Sequence, residues 1–411
     1  MPNSKSPLCA MNRRQFLRTS GWVAAACATV PAANLFAADK ITMPFANGER
    51  LLVKYPQKRP LILLTSRPPQ LETPFSVFNE NVITPNDAFF VRYHLSDIPL
   101  SIDPETFRLE IKGLVNSPLT FSLAELKKFE PVEVVAVCQC SGNSRGFSKP
   151  RVAGGQLGHG AMGNAKWRGV RLRDVLTKAG VKSPARQVVF NGLDRPMVEK
   201  TPDFVKSLDL DHALDGEVML AYEMNGEPLP MLNGFPLRLV APGYFGTYWV
   251  KHVNEITVID EVLNTFWMNP AYRIPDNDCG FIEPGTTPGK TTPIKRLNVR
   301  SFITNFKDGD AIKASEKISI KGIAFDGGYG IREVLYSNNG GKNWRTAKLG
   351  NDLGKYSFRG WETNPMLLSP GKYELMVRAI NRLGESQPLD PLWNPAGYMR
   401  NVVESIRVQS I

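Results

Sequence analysis

The stretch EPGTTPGKTTP, residues 283 to 293, constrains this chain more than any other. Its closely spaced prolines and glycines withhold backbone donors and favour irregular dihedrals, so neither a helix nor a central strand runs through it. One folding unit therefore ends, and another begins, at about residue 290. Beyond it the runs KISIKGIAFDGG, IREVLYSNNGGKNW, GKYELMVRAINRLG and VVESIRVQ alternate apolar and polar residues between turn signals. That pattern predicts an immunoglobulin-like β-sandwich over 291–411, a module suited to contact or dimerisation.

Before the link the pattern is mixed. Strand-like runs FRLEIKGLV, QVVFNGLD, EVMLAYEM and FPLRLVAP are interleaved with helical patches SLAELKKF and RLRDVLTKAG, which predicts an α+β domain over 39–290. Its first part, KYPQKRPLILLTSRPPQLETP, is proline-rich and reads as an extended segment wrapping over that domain. Residues 1–38 are different again. In NRRQFLRTSGWVAAACATVPAANLFAADK, paired arginines precede an alanine-rich apolar run and a small-residue end near Ala37 or Ala38. This reads as a twin-arginine export signal, with periplasmic delivery of a protein already folded around a cofactor. The apolar run is short and broken by Pro31, which argues against a stable membrane anchor.

Lys5, Arg13, Arg14 and Arg18 account for four of the formal net charge of +11, leaving +7 for the remainder. No clustered basic stripe with interleaved aromatics accompanies the excess, so nucleic acid is not the expected partner, and an anionic substrate explains it better. Of five cysteines, Cys9 and Cys27 lie in the export segment, leaving Cys138, Cys140 and Cys279. Three thiols cannot all pair within one chain.

Cys138 and Cys140 lie at the end of the apolar run VVAVCQC, just before the turn Ser141–Gly142. On a regular strand two residues apart share a face, but the turn lets their directions diverge. Cys138 reads as a buried structural thiol. Cys140, beside turn amides that can face a ligand, reads as a lone thiolate for a soft metal whose other ligands a cofactor brings. His94, His159, His212 and His252 share no spacing that completes a zinc site. Gly158–Gly163, GHGAMG, matches a dinucleotide fingerprint in letters, but lacks the strand before it and the helix after it. Arg92 and His94, two apart at a strand end, and Arg145, five after Cys140, are candidates to grip an oxyanion if the fold gathers them.

The segments FFVRYHL, CQCSGNSR, GAMGNAKWRGVRLRDVL, LAYEMNGEPLP, GFPLRLVAPGYFGTYWVKHV and FWMNPAYRIPD, in this order, resemble the sulfite oxidase family of molybdenum enzymes. The resemblance runs from about residue 85 to the C-terminus and is strongest toward exported bacterial members that pass electrons to a cytochrome c. It implies a molybdopterin-binding domain followed by the sandwich, molybdenum held by Cys140 and a molybdopterin dithiolene, and oxidation of sulfite to sulfate. It also implies that Arg92, Arg145 and Tyr272 line the substrate pocket, that Trp167 forms a wall, and that His94 lies close by. Asp194, Asn233, Arg238, Trp249 and Lys251 fall on its pterin-binding positions, with Asn233 standing where the family often has histidine. Arg400 is the candidate for a further pocket arginine. The chain carries no CxxCH haem motif, so the expected electron acceptor is an external cytochrome c or cytochrome subunit, and the expected assembly is a homodimer. The alternatives are a sulfane or thiosulfate-pathway molybdenum dehydrogenase and, from a different class, a non-catalytic exported binding protein. The resemblance argues less for a methionine sulfoxide reductase, which lacks the sandwich, or for nitrate reductase, which carries haem and flavin domains.

Overall fold

A computed structural model describes residues 39–411, so the expected export segment lies outside the described residues. Strands dominate, and of the two helical patches of the sequence reading only RLRDVLTKAG keeps nearly its whole length. SLAELKKF gives only the single turn Leu123–Leu126, started by a capping box between Ser122 and Glu125. The helix Leu172–Ala179 buries Leu172, Val175, Leu176 and Ala179 at helical spacing and stops at Gly180, whose left-handed backbone ends it.

The proline-rich N-terminal segment is a correction to the sequence reading. Instead of only wrapping over the domain as an extended segment, it forms a five-stranded antiparallel sheet of consecutive strands, from Lys40–Thr42 to Val91–Arg92. Leu61, Leu71, Val91 and Tyr93 bury one face of it. The prolines sit between strands or at their ends, where no ladder hydrogen bond is lost. The last strand of this sheet delivers Arg92.

Two further sheets build the central domain. In one, Val253–Ile259 lies between Gln187–Gly192 and Arg108–Gly113, antiparallel to the first and parallel to the second. In the other, Pro131–Gln139 pairs along its full length with Met162–Arg171, with Pro131 opposite Val170 and Gln139 opposite Met162. Valines at 132, 134, 135 and 137 favour this extended strand, which starts partly exposed and ends fully buried at Cys138.

Beyond residue 290 a four-stranded and a five-stranded sheet close on Ile303, Ile320, Val334, Trp361, Leu375 and Val377. The link does not hang free, because Thr291–Pro293 returns as a strand against Arg273–Pro275. A separate apolar cluster joins Val137, Met162, Phe245 and Tyr272 of the central domain to Ile294, Phe302, Phe325 and Phe358. Among the described residues no helix is long and apolar enough to cross a membrane.

Candidate active site

The strand Pro131–Gln139, with Cys138 next to its end, opens at its tip into a cleft. Its lining includes Phe90, Arg92, Tyr93, His94, Cys138, Cys140, Ser141, Asp194, Phe204, Arg238, Thr247, Trp249, Lys251 and Tyr272. The two cysteines face the same cleft, contrary to the divergence allowed by the turn. The reason is that Cys140 still donates its amide to the Ala161 carbonyl at 2.9 Å, so strand alternation persists one residue past the ladder. Only then does the chain turn. Asn143 closes that turn by donating its amide to the Cys140 carbonyl, while its side-chain oxygen takes the Ala161 amide at 3.0 Å. Gly246 lies so close that a Cβ there would stand 3.0 Å from the Cys138 sulfur. Burial pushes the Cys138 thiol up to about 11, which keeps it protonated near neutrality.

One end of the cleft is cationic and buried. Arg238 is buried; it donates to the Asn233 carbonyl at 2.9 Å and to the Cys138 sulfur at 3.5 Å. Lys251 donates to the Arg92 carbonyl and lies 4.2 Å from the centre of the Tyr93 ring. Burial, helped by the nearby Arg238, pulls the Lys251 ammonium well below the usual lysine range, against the pull of Asp194. Burial pushes Asp194 up, so the carboxylate that faces these cations is itself weakened as a counter-ion.

The other end joins His94 and Tyr272. His94 Nε2 and the Tyr272 hydroxyl share a hydrogen bond. The imidazole stacks on Phe204 with 3.7 Å between ring centres. Burial first, then Arg92, Lys251 and Lys206, hold His94 well below its ordinary value, and burial pushes the Tyr272 phenol up. Both are neutral near pH 7. Tyr272 has φ of 58°, a left-handed conformation that costs a bulky side chain energy and is found where surroundings dictate it. Part of that dictation comes from Tyr398, whose ring lies parallel to the Tyr272 ring at 5.5 Å.

Arg92, His94, Cys140, Asp194, Arg238, Trp249, Lys251 and Tyr272 thus line one cleft. Four expected residues do not line the cleft. Trp167 is fully buried behind it, its indole donating to the Ala136 carbonyl and its ring face under the Arg238 guanidinium at 5.3 Å. It backs a cation instead of forming a wall. Asn233 is also one layer behind, with its amide on the Phe90 carbonyl. Arg145 is drawn aside: it donates to the Ala396 and Gly155 carbonyls and lies over the Tyr398 ring at 5.1 Å. Arg400 pairs with Glu404 at 3.1 Å and covers Phe147, an arrangement that spends its charge away from the cleft.

GHGAMG leads directly into the strand Met162–Arg171 and not into a helix. The Glu72 carboxylate, from the N-terminal sheet, accepts the Gly158 amide at 3.0 Å and the Gly160 amide at 3.3 Å. The glycine loop is a docking point for that sheet. Thr247 and Ser141 are cleft residues that sequence reasoning did not single out, although both lie inside quoted segments. Tyr398 and Lys206 had no signal in the sequence, since their roles arise from distant packing.

The arrangement fits a large anionic cofactor. Arg238 Nε, Thr247 Oγ1 and Ser141 Oγ are buried without a partner in the protein, and unpaired buried polar atoms of this kind are costly unless a ligand meets them. Buried guanidinium and ammonium groups that outnumber the one carboxylate facing them, Asp194, suit phosphate, and of the two cleft thiols Cys140, at the turn, suits a soft metal.

Comparison with known proteins agrees. Residues 95–267 match the oxidoreductase molybdopterin binding domain, and residues 291–411 match the Mo-co oxidoreductase dimerisation domain. The chain is 34% identical over 371 residues to mitochondrial sulfite oxidase of Macaca fascicularis, covering 86% of this chain and 66% of the relative. It therefore spans slightly less than two thirds of that relative's length. It is 30% identical over 381 residues to sulfite oxidase of Arabidopsis thaliana, covering 87% of this chain and 96% of the relative. The crystal structure of the sulfane dehydrogenase SoxCD from Paracoccus pantotrophus superposes with a TM-score of 0.70 at 24% identity, covering 90% of this chain and 87% of that one, which shows a shared fold. With this cleft, a molybdenum-molybdopterin cofactor to fill it, and a sandwich behind it, the chain belongs to the sulfite oxidase family.

Proposed function

We propose that this protein is a periplasmic sulfite dehydrogenase that oxidises sulfite to sulfate and passes electrons singly to an external cytochrome c. The observation that carries this reading is the composition of the cleft: the Cys140 thiol, an arginine and two neutral proton-sharing groups at one end, and buried cations that outnumber their facing carboxylate at the other. When bound, the molybdenum cofactor supplies the redox centre for a two-electron oxygen transfer. Cys140 is the protein thiolate that would hold the metal. Arg238, Lys251 and Thr247 would hold the anionic arm of the cofactor, with Trp249 and Trp167 shielding Arg238 from water.

The remaining residues act on the substrate. Arg92 offers a planar fork of donors to a pyramidal dianion, and in a water-poor cleft that attraction is stronger than at the surface. Because His94 is neutral, it adds no charge that would hold sulfate after the reaction. The hydrogen bond between His94 Nε2 and the Tyr272 hydroxyl orients a phenol that stays protonated at the cleft wall. Export by the twin-arginine route, read from residues 12–40, and a homodimer formed through residues 291–411 complete the proposal.

The direct test is sulfite-dependent reduction of ferricytochrome c by the molybdenum-replete protein, with Arg92→Gln as comparison. The expected outcome is turnover by the wild type and a sulfite KM raised by at least about tenfold in the variant, as for loss of a charge-assisted contact. Full molybdenum without sulfite turnover would overturn the substrate and point to a sulfane compound. A correctly exported protein without molybdenum would return the chain to the class of binding proteins.

A further inference from the structure

Lys58 is 2% exposed, in a chain whose other lysines mostly face water. It comes from the N-terminal sheet region, between the strands Glu49–Val53 and Leu61–Ser66, and reaches into the central domain. All three ammonium donors are used: on the Asn86 carbonyl at 2.6 Å, on the Phe89 carbonyl at 3.0 Å, and on the Asn233 side-chain oxygen. No carboxylate is among these partners. Burying such a charge is expensive, and it is retained next to another buried cation, Arg238.

The consequences run through Asn233. Its amide nitrogen donates to the Phe90 carbonyl at 3.1 Å, and its own carbonyl receives Arg238 at 2.9 Å. The following Gly234 has φ of 110°, and a Cβ there would stand 3.2 Å from the Lys251 backbone and side chain and 3.3 Å from Arg238. Lys58 thereby pins the turn that sets Arg238 and abuts Lys251, and ties it to the segment that carries Phe90 and Arg92.

We propose that Lys58 is a positioning residue for the cofactor clamp: acting through Asn233, it fixes Arg238 and adds a buried positive charge beneath the anionic arm of the cofactor. A cluster of cations opposed only by Asp194, itself weakened by burial, and by Asp87, which pairs with Arg59, is destabilising on its own and favourable once an anion approaches, which directs the charge toward that ligand. Burial pulls the Lys58 ammonium down to about 7, and an anion nearby raises it again. The inference rests on the molybdopterin cofactor and not on sulfite as substrate.

The test compares cofactor retention in purified holoprotein, read as molybdenum per chain and as the fluorescence of released, oxidised pterin, with no substrate present. Lys58→Met, which keeps the volume of the stem and removes the charge, is expected to lose cofactor about 10- to 100-fold faster, the usual effect of removing an outer partner of a metal site. Lys58→Arg is expected to restore most of the retention. Retention at the wild-type rate in Lys58→Met overturns the proposal, and so does equal loss in Lys58→Met and Lys58→Arg, since a packing defect and not a charge would then be responsible. If Lys58→Met does not accumulate as folded protein, Asn233→Ala is expected to show the same faster release. Wild-type retention in that variant would overturn the link to Arg238. A wild type that holds molybdenum yet ignores sulfite would sink the proposed reaction and leave this inference standing.

Discussion

Cys138 and Cys140 show how much two residues on one strand face can differ. Both line the cleft, but Cys138 is fully buried beside Arg238, with its thiol pushed up to about 11. Cys140 sits at the turn, where the strand ends and the cleft opens. Cys140→Ser is therefore expected to abolish bound molybdenum, whereas Cys138→Ser keeps it, as measured by metal analysis of the purified proteins. Equal loss from both would move the ligand assignment. The same scale explains why Arg145 and Arg400, alike in the sequence to Arg92, end elsewhere: each finds a partner in the C-terminal domain, the Ala396 carbonyl for Arg145 and Glu404 for Arg400.

Among the elements, the N-terminal sheet does more than cover. It delivers Arg92, inserts Lys58 and extends Glu72 to the amides of the glycine loop. Burial pushes the Glu72 carboxyl up to about 7, against the lowering effect of those two amides. The native state thus takes up this proton at a higher pH than the unfolded chain. Its contribution to stability is fully present below the unfolded value of about 4.5 and is lost as pH rises through about 7. Relative to Glu72→Gln, the wild type is expected to lose about 3 kcal/mol of stability between about pH 4 and pH 8, by the linkage of one shifted carboxyl. Denaturant unfolding at several pH values checks this, and a pH-independent difference between the two proteins would refute it.

At the scale of the molecule, the two domains share a core. Val137 and Met162 belong to the strand pair that ends at the cleft, and they pack with Phe302, Phe325 and Phe358 from beyond the link. The segment Asn394–Met399 reaches back to brace the turn, with Met399 on the Ser141 carbonyl and Ala396 on Arg145. A chain ending at residue 290 would expose this apolar face and release Tyr398 from Tyr272. It is expected not to accumulate as soluble folded protein, as judged by expression yield and circular dichroism. A soluble, cooperatively unfolding fragment would show instead that the central domain stands alone.

Read by itself, the sequence determined the two-part organisation, the sandwich and the strand leading to Cys140, because these depend on local periodicity and turn chemistry, whereas most of the cleft was reached only through the ordered motifs of the family resemblance. The five-stranded N-terminal sheet was hidden by prolines that local rules treat as breakers, although each sits where pairing does not need its amide. The tertiary structure alone decided which arginines face the cleft, that Trp167 supports Arg238 from behind, and that Lys58 meets Asn233 across 175 positions of sequence. A guanidinium or an ammonium is long and equally at home in several settings, and its setting is chosen by acceptors that only the folded chain brings within reach.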